Sequence, residues 1–290
     1  MDETILDMLA AYNCQSREDY ENALKEIVQE VALLGLWRSK FFEHALFYGG
    51  TALRILYKLN RFSEDLDFSL LKTQKNFKLN TYLKAMEDEL KSFGFKVSVD
   101  QKEKGIESRV ESAFIKAGTH IHFLKANAPE RIQNHIQSNE VLKIKVELDT
   151  DPPGLFNAEM KPLLQPIPFQ VKTMPIEDLF AGKLHAVLAR EWRGRVKGRD
   201  YYDMIWYIGR KAKYNIRHLK ERLVQSGHWD KDRDLTSKDV DGLVREKIKG
   251  LNFEKAKRDV SIFLKPRERQ SLELWDLEFF SAIIDRLESD

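Results

Sequence analysis

Cysteine is almost missing from this chain: among 290 residues there is one, Cys14. No intramolecular disulfide can form, and no pair of cysteines stands at zinc-ligand spacing. That economy fits a reducing compartment, and the expected location is the cytoplasm. Also missing is any uncharged apolar run long enough to cross a bilayer, and the start Met1-Asp2-Glu3-Thr4 has neither the basic region nor the apolar stretch of a signal peptide. No membrane association is expected. An excess of one charge sign is lacking too: Lys and Arg total 48 against 46 Asp and Glu, a formal net charge of +2. This excludes a uniformly basic nucleic-acid coat but leaves room for a local basic patch. Hydrophobic residues, at 42%, suffice for a sizeable core in one large domain or two smaller ones.

The spacing of Tyr20, Leu24, Ile27, Val31 and Leu34 predicts a helix from Glu18 towards Phe47, with Ser16 or Arg17 near its cap. A short buried strand is expected over Phe41–Tyr48, a turn at Gly49-Gly50, and a helix from Thr51 to Leu59. Leu83, Met86, Leu90 and Phe93 mark an amphipathic helix that Gly94 stops. Strands are expected at Phe95–Val99, Ser112–Ile115 and His120–Leu124. Lys143–Asp149 gives the cleanest alternation, with Ile144, Val146 and Leu148 on one face and Lys145, Glu147 and Asp149 on the other. From Asp151 to Pro168 the prolines leave no period, so a domain boundary is placed there, at 165/166. Beyond it the chain reads as helical: Pro175–Arg190, Asp200–Tyr207, and further helices around Leu219–Leu223, Val240–Ile248, Phe253–Phe263 and Leu274–Leu287.

Two stretches carry candidate chemistry. Gly49-Gly50 can adopt positive φ and leave backbone N–H groups uncovered, and a helix opening at Thr51 adds its dipole, which suits phosphate. About a dozen residues on, Asp65 and Asp67 fall one residue apart in an extended run and project together, while Leu66 and Phe68 point into a core. Two such carboxylates can share a hard cation of the Mg²⁺ type. A glycine pair is commonly only a turn and an Asp-x-Asp only a solvated pair; their combination beside Arg61 and Ser63 favours a metal-nucleotide site. Glu147 on the alternating strand is a candidate third acid, with Asp149 as its rival and Lys145 as counter-charge. Further along, Lys183 and Arg190 share a helical face, six basic residues lie between Lys183 and Arg199 against one acid, and Asp200 and Asp203 stand three apart on the next helix. Asp200 reads equally well as a helix cap. His185 has no second histidine at ligand spacing and reads as structural.

Four blocks together resemble the AbiEii/AbiGii toxin family of nucleotidyltransferases, which has a polymerase-β-like minimal core. They are Gly49-Gly50-Thr51-Ala52-Leu53-Arg54; Arg61-x-Ser63-x-Asp65-x-Asp67; Leu179-x-x-x-Lys183-x-x-Ala186; and Lys197-x-Arg199-Asp200-x-x-Asp203. The resemblance covers roughly Phe47 to Tyr207. It implies an α+β fold, with a mixed sheet and flanking helices in a nucleotidyltransferase domain over 1–165. A mainly helical domain over 166–290 would contribute Lys183 and Asp200 to the cleft. It also implies roles. Gly49, Gly50, Thr51, Ser63 and Arg61 would hold the nucleotide. Asp65 and Asp67, with Glu147 as third acid, would bind Mg²⁺ or Mn²⁺; Lys183 would contact phosphate; Asp200 would be an essential acid. The implied activity is transfer of a nucleotide from an NTP to RNA, at the 3′ end of tRNA, by a type IV or phage-abortive toxin with a cognate antitoxin. The rivals are AMPylation of a protein hydroxyl, or a catalytically silent module that binds RNA or antitoxin.

Overall fold

The structure is a computed structural model, and it describes all residues except 1, 75, 102–109, 120, 121, 123–128, 131–139 and 191–195. The chain divides into two compact units. One comprises Met1–Tyr57, Ser63–Pro152 and Met160–Thr173; the other comprises Lys58–Phe62, Pro153–Glu159 and Met174–Asp290. Among the described residues no helix is long and apolar enough to cross a membrane.

Among the described residues the first unit is built on a seven-stranded mixed sheet. Its strands are β1 (Ala45–Tyr48), β2 (Leu66–Leu70), β3 (Val97–Gln101), β4 (Val110–Gly118), β5 (Val141–Asp149), β6 (Glu159–Leu163) and β7 (Phe169–Thr173), in the order β3-β4-β5-β2-β1-β7-β6. Strand β2 pairs antiparallel with β1 and parallel with β5. Alternation does what the sequence anticipates in β5, where Ile144, Val146 and Leu148 are fully buried while Lys143 and Lys145 face outward. Helices α1 (Glu3–Ala10), α2 (Arg17–Arg38), α3 (Gly49–Tyr57) and α4 (Asn80–Ser92) accompany the sheet. A capping box between Ser16 and Asp19 starts α2. It ends at Arg38, earlier than its periodicity suggests, because Lys40 takes a left-handed conformation (φ 62°) and turns Phe41 and Phe42 into the core.

The proline-rich stretch expected to lack structure contains β6 and leads directly into β7. Pro162 lies within β6, which is an edge strand, the place where a missing N–H costs least. Strand β7 runs parallel to β1, and the Thr173 hydroxyl donates to the Phe47 carbonyl at 2.7 Å. From Met160 onward β6 and β7 both belong to the first unit, which includes Met160–Thr173. Helix α3 begins at Gly49 itself, without a separate turn before it. The strand expected at His120–Leu124 lies outside the described residues except for His122, whose Nε2 accepts from the Lys96 N–H at 3.1 Å.

The second unit is helical: α5 (Ile176–Ala189), α6 (Gly198–Gly209), α7 (Ile216–Gln225), α8 (Ser237–Lys249), α9 (Phe253–Ser261), α10 (Pro266–Arg269) and α11 (Leu277–Ile284). Phe180 of α5 stacks on Tyr207 of α6, with centroids 4.4 Å apart and planes within 7°. Gly198 opens α6 directly against the Ala256 carbonyl of α9, where any Cβ would overlap that backbone. The Lys247 ammonium of α8 donates to the Leu188 carbonyl at 3.1 Å and so caps the C-terminal end of α5.

In the first unit Phe68 is fully buried and packs edge-on against Phe41 (5.1 Å) and beside Phe47 (5.5 Å). Phe68→Ala is expected to destabilise the protein by about 3–5 kcal/mol, measured by urea unfolding followed by circular dichroism. An unchanged midpoint would mean that β2 is not the centre of this core.

Candidate active site

In the first unit the site residues gather at one end of the β1–β2 pair. Tyr48 is in register with Asp67, and Asp67 with Glu147 on the other side, so one residue of β2 stands between the end of β1 and the middle of β5. Gly49 follows Tyr48 with φ 80°, a conformation that disfavours side chains, and the Asp67 carboxylate occupies the space its Cβ would fill. The glycine is required twice over, by its backbone angle and by the approach of Asp67.

The loop before β2 is held from two helices. Gln29, fully buried on α2, donates through Nε2 to the Ser63 carbonyl at 3.1 Å, and Lys25, one turn earlier, pairs with Glu64 at 3.2 Å. The Thr51 hydroxyl of α3 donates to the Asp65 carbonyl. Thr51, expected at the nucleotide, is fully buried, and its hydroxyl is used to fix this loop. Ser63 is half-buried, and its hydroxyl makes no hydrogen bond among the described residues. Arg54 of the same α3 pairs with Glu26 of α2 at 2.9 Å and ties the two helices together.

The donor set suits a hard divalent cation. Asp65 and Asp67 supply carboxylate oxygens one residue apart, on the side of the strand opposite the buried Leu66 and Phe68. Glu147, the expected third ligand, has the right register but a different partner, because Lys145 lies 2.7 Å from its Oε1. Among the described residues no three acidic, His or Cys side chains converge as a ready-made metal cluster. Asp149 is in register with Ser69, and its Oδ1 accepts from the Asp151 N–H at 3.0 Å.

The second unit gathers a chain of buried charges. Lys183 of α5 reaches both acids of α6, with Nζ 2.8 Å from Asp200 Oδ1 and 2.9 Å from Asp203 Oδ2. Arg190, two turns along α5 from Lys183, takes the other Asp200 oxygen at 2.9 Å. The shared faces anticipated for Lys183 with Arg190 and for Asp200 with Asp203 are the ones that meet. Arg61 belongs to this unit as well. Its guanidinium is buried in this unit, with Nε and Nη2 on the two oxygens of Asp203 at 2.6 and 2.7 Å and Nη1 on the Phe62 carbonyl. Arg61 is thus a buried partner of Asp203, joined to it by a two-pronged, charge-assisted pair.

Burial by itself would raise the Asp200 and Asp203 carboxyls. Lys183 and Arg190 on the first, and Arg61 and Lys183 on the second, outweigh it and hold both below the ordinary carboxylate range. Asp200 is thereby held ionised between the Lys183 and Arg190 cations. Lys197, just before α6, is lowered to about 8 by burial and then by Arg190, with Asp200 opposing. Asp203 and Arg190 are the participants that reading the sequence left without a role. The three-residue spacing of the acids was the available signal.

Because both carboxyls are lower in the folded than in the unfolded chain, their contribution is complete above the ordinary Asp value of 3.8 and is lost as pH falls through the folded values. Acid unfolding of the wild type is therefore expected to set in below about pH 4. Asp203→Asn leaves Arg61 buried without its counter-ion and is expected to cost about 3–5 kcal/mol at pH 7. Urea unfolding at pH 7 and pH 3 checks both: a stability loss for the variant that is as large at pH 3 as at pH 7 would contradict the ionised pair.

Compared with known families, the chain matches, over residues 31–281, the one described as "Nucleotidyl transferase AbiEii toxin, Type IV TA system". Among solved structures it is similar to JHP933 from Helicobacter pylori, with 20% identity, 91% of this chain and 90% of that chain covered, and a TM-score of 0.47. It is also similar to MenT4, nucleotidyltransferase toxin Rv2826c from Mycobacterium tuberculosis H37Rv, with 14% identity, 98% of both chains covered and a TM-score of 0.47. Among curated proteins none matches.

Proposed function

The chain belongs to the AbiEii family of nucleotidyl transferase toxins of type IV toxin–antitoxin systems, and from that premise we propose that it transfers a nucleotide from an NTP to an RNA acceptor, the 3′ end of tRNA, and so blocks translation. As a member of this family it is a nucleotidyltransferase, and the family implies a nucleotide substrate and an antitoxin partner. The observation that carries the finer reading is the seat of Asp67, in register with Tyr48 and Glu147 and pressed against Gly49 at the start of α3.

In this reading an RNA hydroxyl attacks the α-phosphorus of the NTP in line; the new phosphodiester bond forms as the bond to the β-phosphate oxygen breaks, and pyrophosphate leaves. Backbone N–H groups at Gly49 and Gly50 and the N-terminus of α3 hold the phosphates, with the Ser63 hydroxyl as a further donor. Asp65 and Asp67 hold Mg²⁺ or Mn²⁺, which when bound neutralises charge developing on the reacting oxygens. Lys183 supplies positive charge for the triphosphate, and Asp200 and Asp203 keep that ammonium in place. Gln29 and Thr51 keep the Ser63–Asp65 backbone at the spacing this requires. Glu147, in register with Asp67, would be a further ligand of the divalent cation.

The test incubates the full chain with each labelled NTP and total RNA, and separately with cell protein. Label is expected in RNA, in the tRNA size range, and Asp67→Asn is expected to reduce incorporation by at least about 10²-fold. Gly49→Ala, which sets a methyl group against the Asp67 carboxylate, is expected to lower incorporation to a comparable degree while the chain still folds. Label confined to protein would favour an AMPylating enzyme. Absence of label from both, together with no heat of Mg²⁺–NTP binding, would favour a module that binds without reacting.

A further inference from the structure

At the other end of the β1–β2 pair, where Ala45 is in register with Leu70, the first unit carries a recess of about 660 Å³. His44, Gln74, Asn76, Phe77, Lys78, Thr81 and Tyr82 line it. Phe77 and Tyr82 lie parallel, with 8° between their planes and centroids 5.6 Å apart, and Phe41 supports both edge-on from the core. Both are half-buried, so the pair is anchored on one side and open on the other. Tyr82 stands on α4, and the loop that carries Phe77 is fixed: the Gln74 N–H donates to the Thr150 carbonyl at 3.2 Å, the Thr73 hydroxyl to Asp151 at 2.9 Å, and the Leu79 N–H to Glu111 at 2.7 Å.

The polar side chains around these rings are uncommitted. Among the described residues, those of His44, Gln74, Asn76, Lys78 and Thr81 make no hydrogen bond or ion pair. From Lys72 to Met86 the sequence carries four lysines and no acid. Glu111 and Asp151 are already engaged by the loop, and Glu43 lies 3.9 Å from Lys40. A preformed aromatic platform, two amides that can both donate and accept, and an unpaired ammonium are what an unpaired nucleotide recognises: a face for its base, partners for the base edge and a cation for its phosphate. A base in a duplex hides its faces in the stack and cannot use such a platform.

We propose that this recess is a subsite for an unpaired nucleotide of the RNA acceptor, whose base extends the Phe77–Tyr82 stack beside Gln74 and Asn76 while Lys78 meets its phosphate. The proposal rests on the reading that the acceptor is RNA. It places acceptor recognition at the end of β1 remote from Gly49 and Asp67, so affinity for RNA is separable from the chemistry.

The test is fluorescence anisotropy of the full chain, without NTP, with a labelled single-stranded RNA octamer of mixed sequence and with the same strand annealed to its complement. The single strand is expected to bind more tightly. Phe77→Leu, which keeps apolar packing and removes the ring, is expected to weaken it about tenfold, Asn76→Ala about threefold, and Lys78→Gln to lower the slope of log affinity against log salt by about 1. Asn76 and Lys78 are exposed, so those two variants stand even if Phe77→Leu disturbs the fold, which circular dichroism reports. Equal affinity for the duplex, absence of binding, or three variants that bind like the wild type would overturn the subsite. Octamer binding that depends on Phe77 without any transfer of label to RNA would keep the subsite and remove nucleotidyl transfer to RNA.

Discussion

The position of Asp67 depends on one constraint, the register of β2 between β1 and β5. Leu66, Phe68 and Leu70 are buried on one face, so a slip of one residue would drive Asp67 into the core and expel Phe68. Tyr48 and Glu147 flank Asp67 because both neighbours obey the same register. The start of α3 is then fixed by covalent continuity from Tyr48 to Gly49, and it can lie so close to the Asp67 carboxylate only because residue 49 has no side chain. Gln29 and Thr51 complete the arrangement by taking the carbonyls of Ser63 and Asp65, so that the backbone as well as the side chains is held.

The second unit solves a different problem. Burying two carboxylates costs several kcal/mol each unless cations answer them. Here Arg61, Lys183 and Arg190 do so. A pair of charges could be replaced by apolar residues with little loss of stability, so such a network is weak evidence for stability alone.

Much of this was legible in the sequence, for identifiable reasons. Strict alternation marked β5, and the Asp-x-Asp run marked the start of β2. The helical faces of α5 and α6 followed from three- and four-residue spacing, and the mixed α+β architecture followed from the succession of helices and strands. The rest lacked a local signal. Arg61 and Asp203 are separated by 142 positions, and neither residue's neighbours announce the other. Pro162 erased the strand pattern of β6, because only the edge position in the sheet makes a proline tolerable there. Thr51 stands at the first helical turn, and nothing near it in sequence announces that its hydroxyl holds the Asp65 backbone. The end of α2 depended on one left-handed residue, Lys40, whose side chain carries no turn preference.

The most direct measurement is the balance of the reaction itself: the mass of the RNA acceptor and the pyrophosphate released, followed together during incubation with Mg²⁺ and the preferred NTP. Nucleotidyl transfer requires a mass gain of one nucleoside monophosphate at the 3′ end and one pyrophosphate for each RNA extended. RNA of unchanged mass while protein gains a nucleotide, or release of inorganic phosphate in place of pyrophosphate, would contradict it.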